Sequence, residues 1–434
     1  MKVALVVDVT PYTAGLYETV RELASALRFH GIDARLVDTR PPTEPFSWVK
    51  SPGGREYMQI DVPRVKPSNE QVGESDRGVP IAPVDFLYEC DIISSHRGLA
   101  RLEAPGQKRP DKPVVHVVHG MPDYSYVLAF HGHGEIIRRN MQIRRDPNYM
   151  GVVTMWERYI PYMETQFGEG NVHCLRSWVD LDRFRPGPTG FDFHGQSGKV
   201  NIMCADYWRE NGDPFHPIHG FIEFAKRYDG AKLHIFGLQQ VDMQGRQAFF
   251  ESVMNQGGDD FRGPLDELTK NIATAQRCDI PRLQTELKTI QDKAGRGILG
   301  DLQPIVPYLH QIYPEADVLI SYKNAESRVV KEALACGTQV VGGLGLPCTP
   351  YTADIEDLPG YADAIDRAVK EMGDDASARN RAYAEANFDV KKNSLPYVDI
   401  LEGAVDKWRR LHSTPQKCAT SSKSTPEVPM GLSD

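Results

Sequence analysis

The stretch SYKNAESRVVKEALACGTQVVGG, residues 321–343, decides the fold of this chain. A strand enters it from DVLIS (317–321), a short loop carries Glu326, a helix carries Glu332, and Gly337 ends that helix before the next strand. Strand, helix and strand in this order predict a parallel βαβ unit. The loop therefore places Glu326 at the carboxyl end of a strand, the edge of a parallel sheet where ligands bind.

The start of this helix has the chemistry to hold a phosphate group. Free backbone amides near Ser327–Val329 point out of the helix, and the helix dipole favours an anion there. The carboxylate of Glu332 can accept two hydrogen bonds from a vicinal diol such as a ribose. The alternative is an amphipathic helix with two solvated glutamates, and the spacing alone leaves both interpretations open.

The same alternation of strands and helices extends outward on both sides of the stretch. A linker rich in glycine and proline, 186–198, separates two such series. The first series consists of VALVVDV (3–9), a helix from about Leu16 to His30, ARLVD (34–38), DIIS (91–94), VVHVV (114–118), GVVTM (151–155), a helix at about 156–167 and NVHCL (171–175). The second consists of VNIMC (200–204), FIEFAKR (221–227), LHIF (233–236), the stretch quoted above and helices near 360–372 and 375–387. The pattern predicts an α/β protein with two doubly wound, Rossmann-like domains that face an inter-domain cleft.

The two predicted domains do not account for all residues of the chain. We expect a first domain at 1–190 and a second at 198–390, with a last helix at about 393–411 that packs back on the first. The remainder is a proline-rich loop or small excursion at 41–83, an insertion at 238–300 and a tail at 413–434 predicted to be disordered.

Composition and charge narrow the class of protein. Hydrophobic residues make up 41% of the 434 and charged residues 25%, which is typical of globular proteins. A net charge of −9 disfavours a general binder of nucleic acid or anionic membranes. The chain shows no secretory signal and no apolar run of transmembrane length, and its seven cysteines are scattered. These features predict a cytoplasmic protein with reduced thiols.

Several stretches in the right order resemble the retaining glycosyltransferases with the GT-B fold, the large group called family 4. The signature of that group is similar to EALACGTQVV (332–341), and the stretch before the signature is similar to ILGDLQPIVPYLHQIYPEADVLIS (298–321). The first loop and helix of the group are similar to PYTAGLYETVRELASALRFHGIDARLV (11–37), and its strand ending in His-Gly is similar to VVHVVHGMPD (114–123). The end of its first domain is similar to NVHCLRSWVDLDRFRP (171–186). Two departures are visible. Five residues rather than seven separate Glu326 from Glu332, and no lysine follows Arg209 until Lys226.

The resemblance implies transfer of a sugar from a UDP- or GDP-sugar to an acceptor hydroxyl with retention of configuration. It implies that Glu332 holds the ribose, that Glu326 holds the sugar hydroxyls, and that His119 touches the sugar or acceptor. Gly15 would face the nucleotide, and Arg209 with the amides of Ser327, Arg328 and Val329 would hold the diphosphate. Arg328 would replace the missing lysine or pair with a neighbouring glutamate, and Lys323 and Lys331 are other replacements.

The group generally needs no bound metal or permanent cofactor, and no metal site is expected here. The pairs His116-x-x-His119 and His131-x-His133 lack an obvious third ligand.

The sequence does not identify the acceptor substrate. IIRRNMQIRRD (136–146) carries the arginines Arg138, Arg139, Arg144 and Arg145 on a predicted helix of the first, acceptor-binding domain. They form either a solvated helix face or a site for an anionic acceptor, such as a phosphorylated sugar or lipid or a nucleic acid. One alternative is therefore an enzyme that glycosylates hydroxylated bases of DNA. Two further alternatives do not depend on these arginines: a nucleotide-sugar epimerase of the same fold, and a non-catalytic nucleotide-sugar-binding protein, which the short spacing from Glu326 to Glu332 and the missing lysine would fit. The oligomeric state is equally open.

Overall fold

The structure is a computed structural model of the chain. It describes residues 1–7, 15–38, 46–50, 56–60, 73–74, 79–96, 108–119, 140–141, 143–193, 197–206, 215–236, 299–303 and 309–413.

Strands and helices alternate along most of these residues. The strands are β1 (Lys2–Val7), β2 (Asp33–Asp38), β3 (Phe46–Lys50), β4 (Glu56–Ile60), β5 (Gly73–Glu74), β6 (Pro80–Ala82), β7 (Ile92–Ser95), β8 (Val114–Val118), β9 (Tyr149–Thr154), β10 (Val172–Cys174), β11 (Val200–Cys204), β12 (Ala231–Phe236), β13 (Leu299–Gln303), β14 (Val318–Ile320), β15 (Gln339–Gly343) and β16 (Thr352–Ala353). The helices are α1 (Gly15–Phe29), α2 (Phe86–Glu89), α3 (Ile160–Phe167), α4 (Phe215–Ala225), α5 (Leu309–Ile312), α6 (Arg328–Ala335), α7 (Leu358–Lys370), α8 (Asp374–Asn387), α9 (Val390–Asn393) and α10 (Leu395–Ser413), with 3-10 turns at Glu157–Tyr159 and Tyr313–Glu315.

The first sheet has the strand order β10-β9-β8-β7-β1-β2-β6-β5. Its neighbouring strands are parallel except for the antiparallel pair β5 and β6. Val3 to Val7 are fully buried, because helices cover both faces of a central parallel strand. Helix α1 packs its apolar stripe, including Val20, Leu23 and Leu27, into the same core.

The second sheet has the order β13-β12-β11-β14-β15-β16, and its paired strands are all parallel. Helices α4 and α7 pack on one face of it, and α6 and α8 lie on the other. Tyr361 of α7 is fully buried, and its hydroxyl donates a hydrogen bond of 2.8 Å to the backbone oxygen of Ser321. This bond ties α7 to the carboxyl end of β14, where the candidate site lies.

The segment 41–83, predicted to be a long loop or small excursion, contains short strands. Strands β3 and β4 pair as an antiparallel hairpin, and β6 extends the first sheet beside β2. The predicted insertion at 238–300 lies outside the described residues except for 299 and 300, which belong to β13. Residues 414–434 of the predicted tail also lie outside them.

The chain crosses between the two sheets at two adjacent points. The amide of Val179 donates to the backbone oxygen of Phe388 at 2.8 Å, and the amide of Val390 donates to that of Val179 at 3.3 Å. After the second crossing, α10 buries Tyr397 and Leu401 in the core of the first sheet. Helix α1, beside the first sheet, contacts the start of α6, beside the second, through hydrogen bonds from Arg328 to Thr19 and Glu22.

Candidate active site

Helix α6 begins at the carboxyl end of β14. Ser327 precedes it in an extended conformation, and the hydroxyl of Ser327 is buried and has no hydrogen-bond partner among the described residues. The amides of Arg328 and Val329 have no acceptor within the described part of the chain. Within the described part of the chain, three hydrogen-bond donors at this helix start are therefore unpaired, and unpaired donors at a helix start favour an anion.

Glu332 lies in the second turn of α6 and is 4% exposed. Its carboxylate pairs with Arg328 Nε at 2.6 Å and accepts a hydrogen bond of 3.3 Å from the Tyr313 hydroxyl. Burial raises the pKa of Glu332 above its ordinary value, and the charge of Arg328 opposes that rise. The carboxylate is thus held in one orientation and can still accept further hydrogen bonds.

Arg328 is bound from both sides of the domain contact. Besides Glu332, it contacts Glu22 of α1 through two nitrogens, at 2.7 and 3.0 Å, and donates to the Thr19 hydroxyl at 3.0 Å. Glu22 is fully buried. The structure therefore places Arg328 as a buried ion-pair partner of two glutamates, one of them its neighbour on α6.

The ion pairs around Arg328 form a balanced cluster. Glu18 pairs with Arg21 at 3.2 Å and with Arg183 at 2.9 Å, and Arg21 lies 4.0 Å from Glu22. In this cluster three carboxylates face three guanidinium groups: Glu18, Glu22 and Glu332 against Arg21, Arg183 and Arg328. Among these six described side chains the formal charges cancel, so together they carry no net positive charge for a ligand.

Lys331 is the cation next to the cluster that stays unpaired among the described residues. It is 7% exposed, makes no hydrogen bond or ion pair there, and its ammonium lies 5.9 Å from the centre of the Phe388 ring. Burial and the neighbouring Arg328 lower the pKa of Lys331 to about 8, although Glu326 counteracts them. A buried ammonium without a partner is costly, and a bound anion would compensate it.

Glu326 lies in the loop before α6, as the sequence predicts for it. The Tyr383 hydroxyl donates a hydrogen bond of 2.6 Å to its carboxylate. Burial and the contact with Glu326 raise the pKa of Tyr383, so that the phenol stays a donor. Tyr383 thus fixes the position of Glu326 at the strand end.

His119 follows β8 on the first sheet and faces the same region. Its Nε2 lies 2.8 Å from Nδ1 of His96, and Nε2 of His96 lies 2.8 Å from the hydroxyl of Ser94. Burial lowers the pKa of His119 to about 3, and the charge of Lys331 contributes to the shift. His119 is therefore neutral at physiological pH. Lys331, on helix α6 beside the second sheet, lies close enough for its charge to lower the pKa of His119.

The sequence did not single out Asp206, which follows β11 and is 2% exposed. The Ser321 hydroxyl donates to its carboxylate at 2.5 Å, and burial raises the pKa of Asp206. The position of Asp206 directly after a buried strand is the sequence signal that could have identified it as a candidate site residue. Lys323, beside it, places its ammonium over the ring of Tyr322 and contacts the Tyr322 hydroxyl.

The structure describes only some of the remaining predicted site residues. Gly15 is the first residue of α1. Arg144 and Arg145 are exposed near the end of a helical turn, and Arg209, Arg138 and Arg139 lie outside the described residues. Within the described ranges, the structure thus gathers Glu326, Ser327, Arg328, Val329 and Glu332 at α6, with His119 facing them, and leaves Arg144 and Arg145 elsewhere on the surface.

The described residues lack two kinds of feature. They contain no group of three or more His, Cys, Asp or Glu side chains that could hold a metal ion. None of their helices is long and apolar enough to cross a membrane.

Comparison with known proteins found similarity in structure. No protein-family model matches the chain, and no curated protein matches it at a significant level. The chain resembles sucrose-phosphate synthase from Thermosynechococcus elongatus with a TM-score of 0.56, at 15% identity over 94% of this chain and 99% of that one. It resembles HepE of Anabaena in complex with UDP-glucose with a TM-score of 0.58, at 12% identity over 93% of this chain and 99% of that one.

A third similar structure is an alpha-glucosyltransferase in complex with UDP and a 13-mer DNA that contains an HMU base. Its TM-score is 0.53, at 10% identity over 93% of this chain and 99% of that one. The match spans nearly the whole of each protein, and the two parallel sheets with flanking helices agree with it. The prediction from the sequence is confirmed, and the chain has the α/β GT-B fold.

Proposed function

We propose that the protein is a retaining glycosyltransferase that moves a sugar from a nucleotide diphosphate sugar to an acceptor hydroxyl. The observation that carries this proposal is Lys331, a buried ammonium that lacks an anionic partner among the described residues. It lies on α6 with the open donors of Ser327, Arg328 and Val329. A diphosphate supplies the negative charge that this arrangement lacks.

Three of the predicted residues then have roles that their surroundings support. Glu332 accepts hydrogen bonds from the ribose, because its carboxylate is buried and oriented by Arg328 and Tyr313. Glu326, held by Tyr383, binds the sugar hydroxyls. Neutral His119 contacts the sugar or the acceptor from the first sheet.

The proposed chemistry depends on the charge that leaves with the diphosphate. As the bond from the sugar to the diphosphate breaks, negative charge grows on the leaving oxygen. The ammonium of Lys331 and the amides at the start of α6 are fixed before the reaction and stabilise that charge. Arg209, which follows β11 in the sequence, and Gly15, at the start of α1, complete the proposed donor site.

The comparisons suggest which donor to test first. The HepE complexes contain UDP-glucose or UDP, and the alpha-glucosyltransferase complex contains UDP. We therefore propose a UDP-sugar, with GDP-sugars as the second choice. DNA with hydroxylated bases is not favoured as the acceptor, because likeness to the alpha-glucosyltransferase is no greater than likeness to sucrose-phosphate synthase.

The domain limits and location belong to the same proposal. A first domain at 1–190, joined by the helix at about 393–411, would bind the acceptor, and a second at 198–390 would bind the donor. The buried side chains that α10 places in the first core support the return of the chain to the first domain. A cytoplasmic location agrees with the five free cysteines of the described residues.

A donor panel tests the function. Thermal shift is measured with UDP-glucose, other UDP-sugars and GDP-sugars, and the products formed with the best donor and a broad acceptor panel are identified by mass spectrometry. A stabilising donor and a glycosylated acceptor are expected. A sugar that changes configuration while still on the nucleotide indicates an epimerase, binding without turnover indicates a binding protein, and the absence of any shift contradicts the proposal.

One pair of variants tests the role of Glu332. Glu332→Gln keeps the shape of the side chain and removes its charge, and it should lower kcat/KM for the donor by about 10- to 100-fold, since hydrogen bonds to charged groups are strong. The matched control is Glu385→Gln, on an exposed ion pair with Arg381. If the two variants have equal activity while both remain folded, Glu332 does not hold the ribose.

A further inference from the structure

A line of four hydrogen-bonding side chains runs from the last helix to the candidate site. The Tyr397 hydroxyl of α10 lies 2.5 Å from the Ser94 hydroxyl, which lies 2.8 Å from Nε2 of His96. Nδ1 of His96 lies 2.8 Å from Nε2 of His119. Tyr397 and Ser94 are fully buried, and His96 is 1% exposed.

The number of protons determines the direction of this line. Between the Tyr397 hydroxyl and Nε2 of His96 there are two contacts, and the two hydroxyl groups bring two protons. Neither hydroxyl has another partner among the described residues. If Nε2 of His96 also carried a proton, three protons would share two contacts and one buried donor would have no acceptor, which proteins avoid.

The order without an unpaired donor is therefore unique. Tyr397 donates to Ser94, and Ser94 donates to Nε2 of His96. His96 is neutral, because burial lowers its pKa, so its single ring proton must be on Nδ1. That proton is donated to Nε2 of His119, which can then only accept.

We propose that Tyr397, Ser94 and His96 are positioning residues that fix His119 in the tautomer with its proton on Nδ1. His119 then offers an N–H donor, and no basic nitrogen, to an oxygen of the substrate. Nδ1 of His119 makes no hydrogen bond within the described ranges, so it is open to a ligand. The identity of that oxygen, on the donor sugar or on the acceptor, rests on the proposed function, whereas the tautomer does not.

The arrangement also has a consequence for the reaction. Since the one nitrogen of His119 that lacks a proton is occupied by His96, the imidazole is not available as a general base. The acceptor hydroxyl must lose its proton to another group, such as an oxygen of the leaving diphosphate. The helix α10 thereby contributes to the site from a distance, although it lies against the first sheet.

Nitrogen-15 NMR of the full chain, labelled at histidine, tests the tautomer directly. The two tautomers give different ring nitrogen shifts and different couplings to the ring protons, and His119→Asn identifies its signals. The expected result is a neutral His119 with its proton on Nδ1, unchanged between about pH 5 and 8, where a free histidine titrates. A proton on Nε2 overturns the proposal. This measurement is informative even if no donor is ever turned over.

Two variants of Ser94 test the line itself. Ser94→Ala removes the link, and His119 should then show a mixture of both tautomers, with a fall in kcat of about 10-fold and a change in donor KM below about 2-fold. Ser94→Thr keeps the hydroxyl and should restore the single tautomer and the rate. A single Nδ1–H tautomer in Ser94→Ala, or equal rates in the two variants, would show that the line does not control His119.

Discussion

Replacing Arg328 with methionine should lower the free energy of unfolding by about 5 kcal/mol. The guanidinium lies 2.7 Å from Glu22 and 2.6 Å from Glu332, whose side chains are 0% and 6% exposed. Removal of one partner from a buried ion pair costs about 3–5 kcal/mol. The upper value applies here because the change leaves two buried carboxylates without their shared cation, while methionine retains most of the apolar stem.

The loss should depend on pH in a specific direction. Burial already raises the pKa of Glu332 in the native state, and the charge of Arg328 limits that rise. Without Arg328, the native pKa moves further above the pKa in the unfolded chain. The native state then binds the proton more tightly, so the stability of the variant falls as the pH rises between these two pKa values. The deficit relative to the unchanged protein should be smaller at about pH 5 than at about pH 8.

Urea unfolding followed by tryptophan fluorescence at both pH values measures the effect. The matched control is Arg227→Met, because Arg227 pairs with Asp363 at 2.7 Å with both side chains more than half exposed. This control should change the stability by less than about 1 kcal/mol at either pH. Equal losses in the two variants, or a loss for Arg328→Met that is the same at both pH values, would contradict this prediction.

Two further predictions concern helix α6. Lys331→Met should weaken binding of UDP about 10-fold, whereas Lys370→Met, at an exposed pair with Asp366, should leave it unchanged in calorimetry. Because the pKa of Lys331 is about 8, UDP affinity should fall as the pH rises through that value, and a persistent pH dependence in Lys331→Met would contradict this role. Gly337→Ala should destabilise the protein by about 1–3 kcal/mol, since φ is +81° and the added carbon would overlap the Ser377 hydroxyl. Gly403→Ala, in open space on α10, should instead stabilise it by about 1 kcal/mol in denaturant unfolding, and the opposite order would show that the end of α6 accepts a side chain.

The elements that the sequence predicts best are those with a local pattern. The run VALVVDV predicts β1 because a strand covered on both faces needs apolar residues at every position. The helix of the decisive stretch is equally local, since Gly337 ends it with a positive φ that other residues avoid.

The weaker predictions have physical reasons. Helix α4 begins at Phe215, although FIEFAKR (221–227) predicts a later start. Pro217 lies in its first turn, where the missing amide costs nothing, and a proline there looks like a break in the sequence. The hairpin Phe46–Lys50 and Glu56–Ile60 lies in a proline-rich segment, and prolines outside its strands say little about the strands themselves.

In the candidate site, contacts between residues far apart in the sequence could not be predicted. Glu326 and Glu332 belong to one local motif, so the sequence brings them together. Glu22 is 306 positions from Arg328, and Tyr397 is 303 from Ser94, and no spacing rule connects residues so far apart. Those contacts appear only when both sheets and the returning helix are in place.

Helix α1 shows why the sequence pattern does not predict such contacts. Its apolar stripe marks the face toward the first core, and Glu18, Arg21 and Glu22 on another face have the pattern of a solvated surface. Arg21 and Glu22 are nevertheless 1% and 0% exposed. Arg328 of α6, beside the second sheet, contacts Glu22, and Arg183, from the segment between the two sheets, contacts Glu18 next to them. A domain contact made of paired charges can separate at low cost, since water hydrates each charge once it is released. An apolar contact of the same size would resist opening, so charges on this face suit a cleft that must admit and release a ligand.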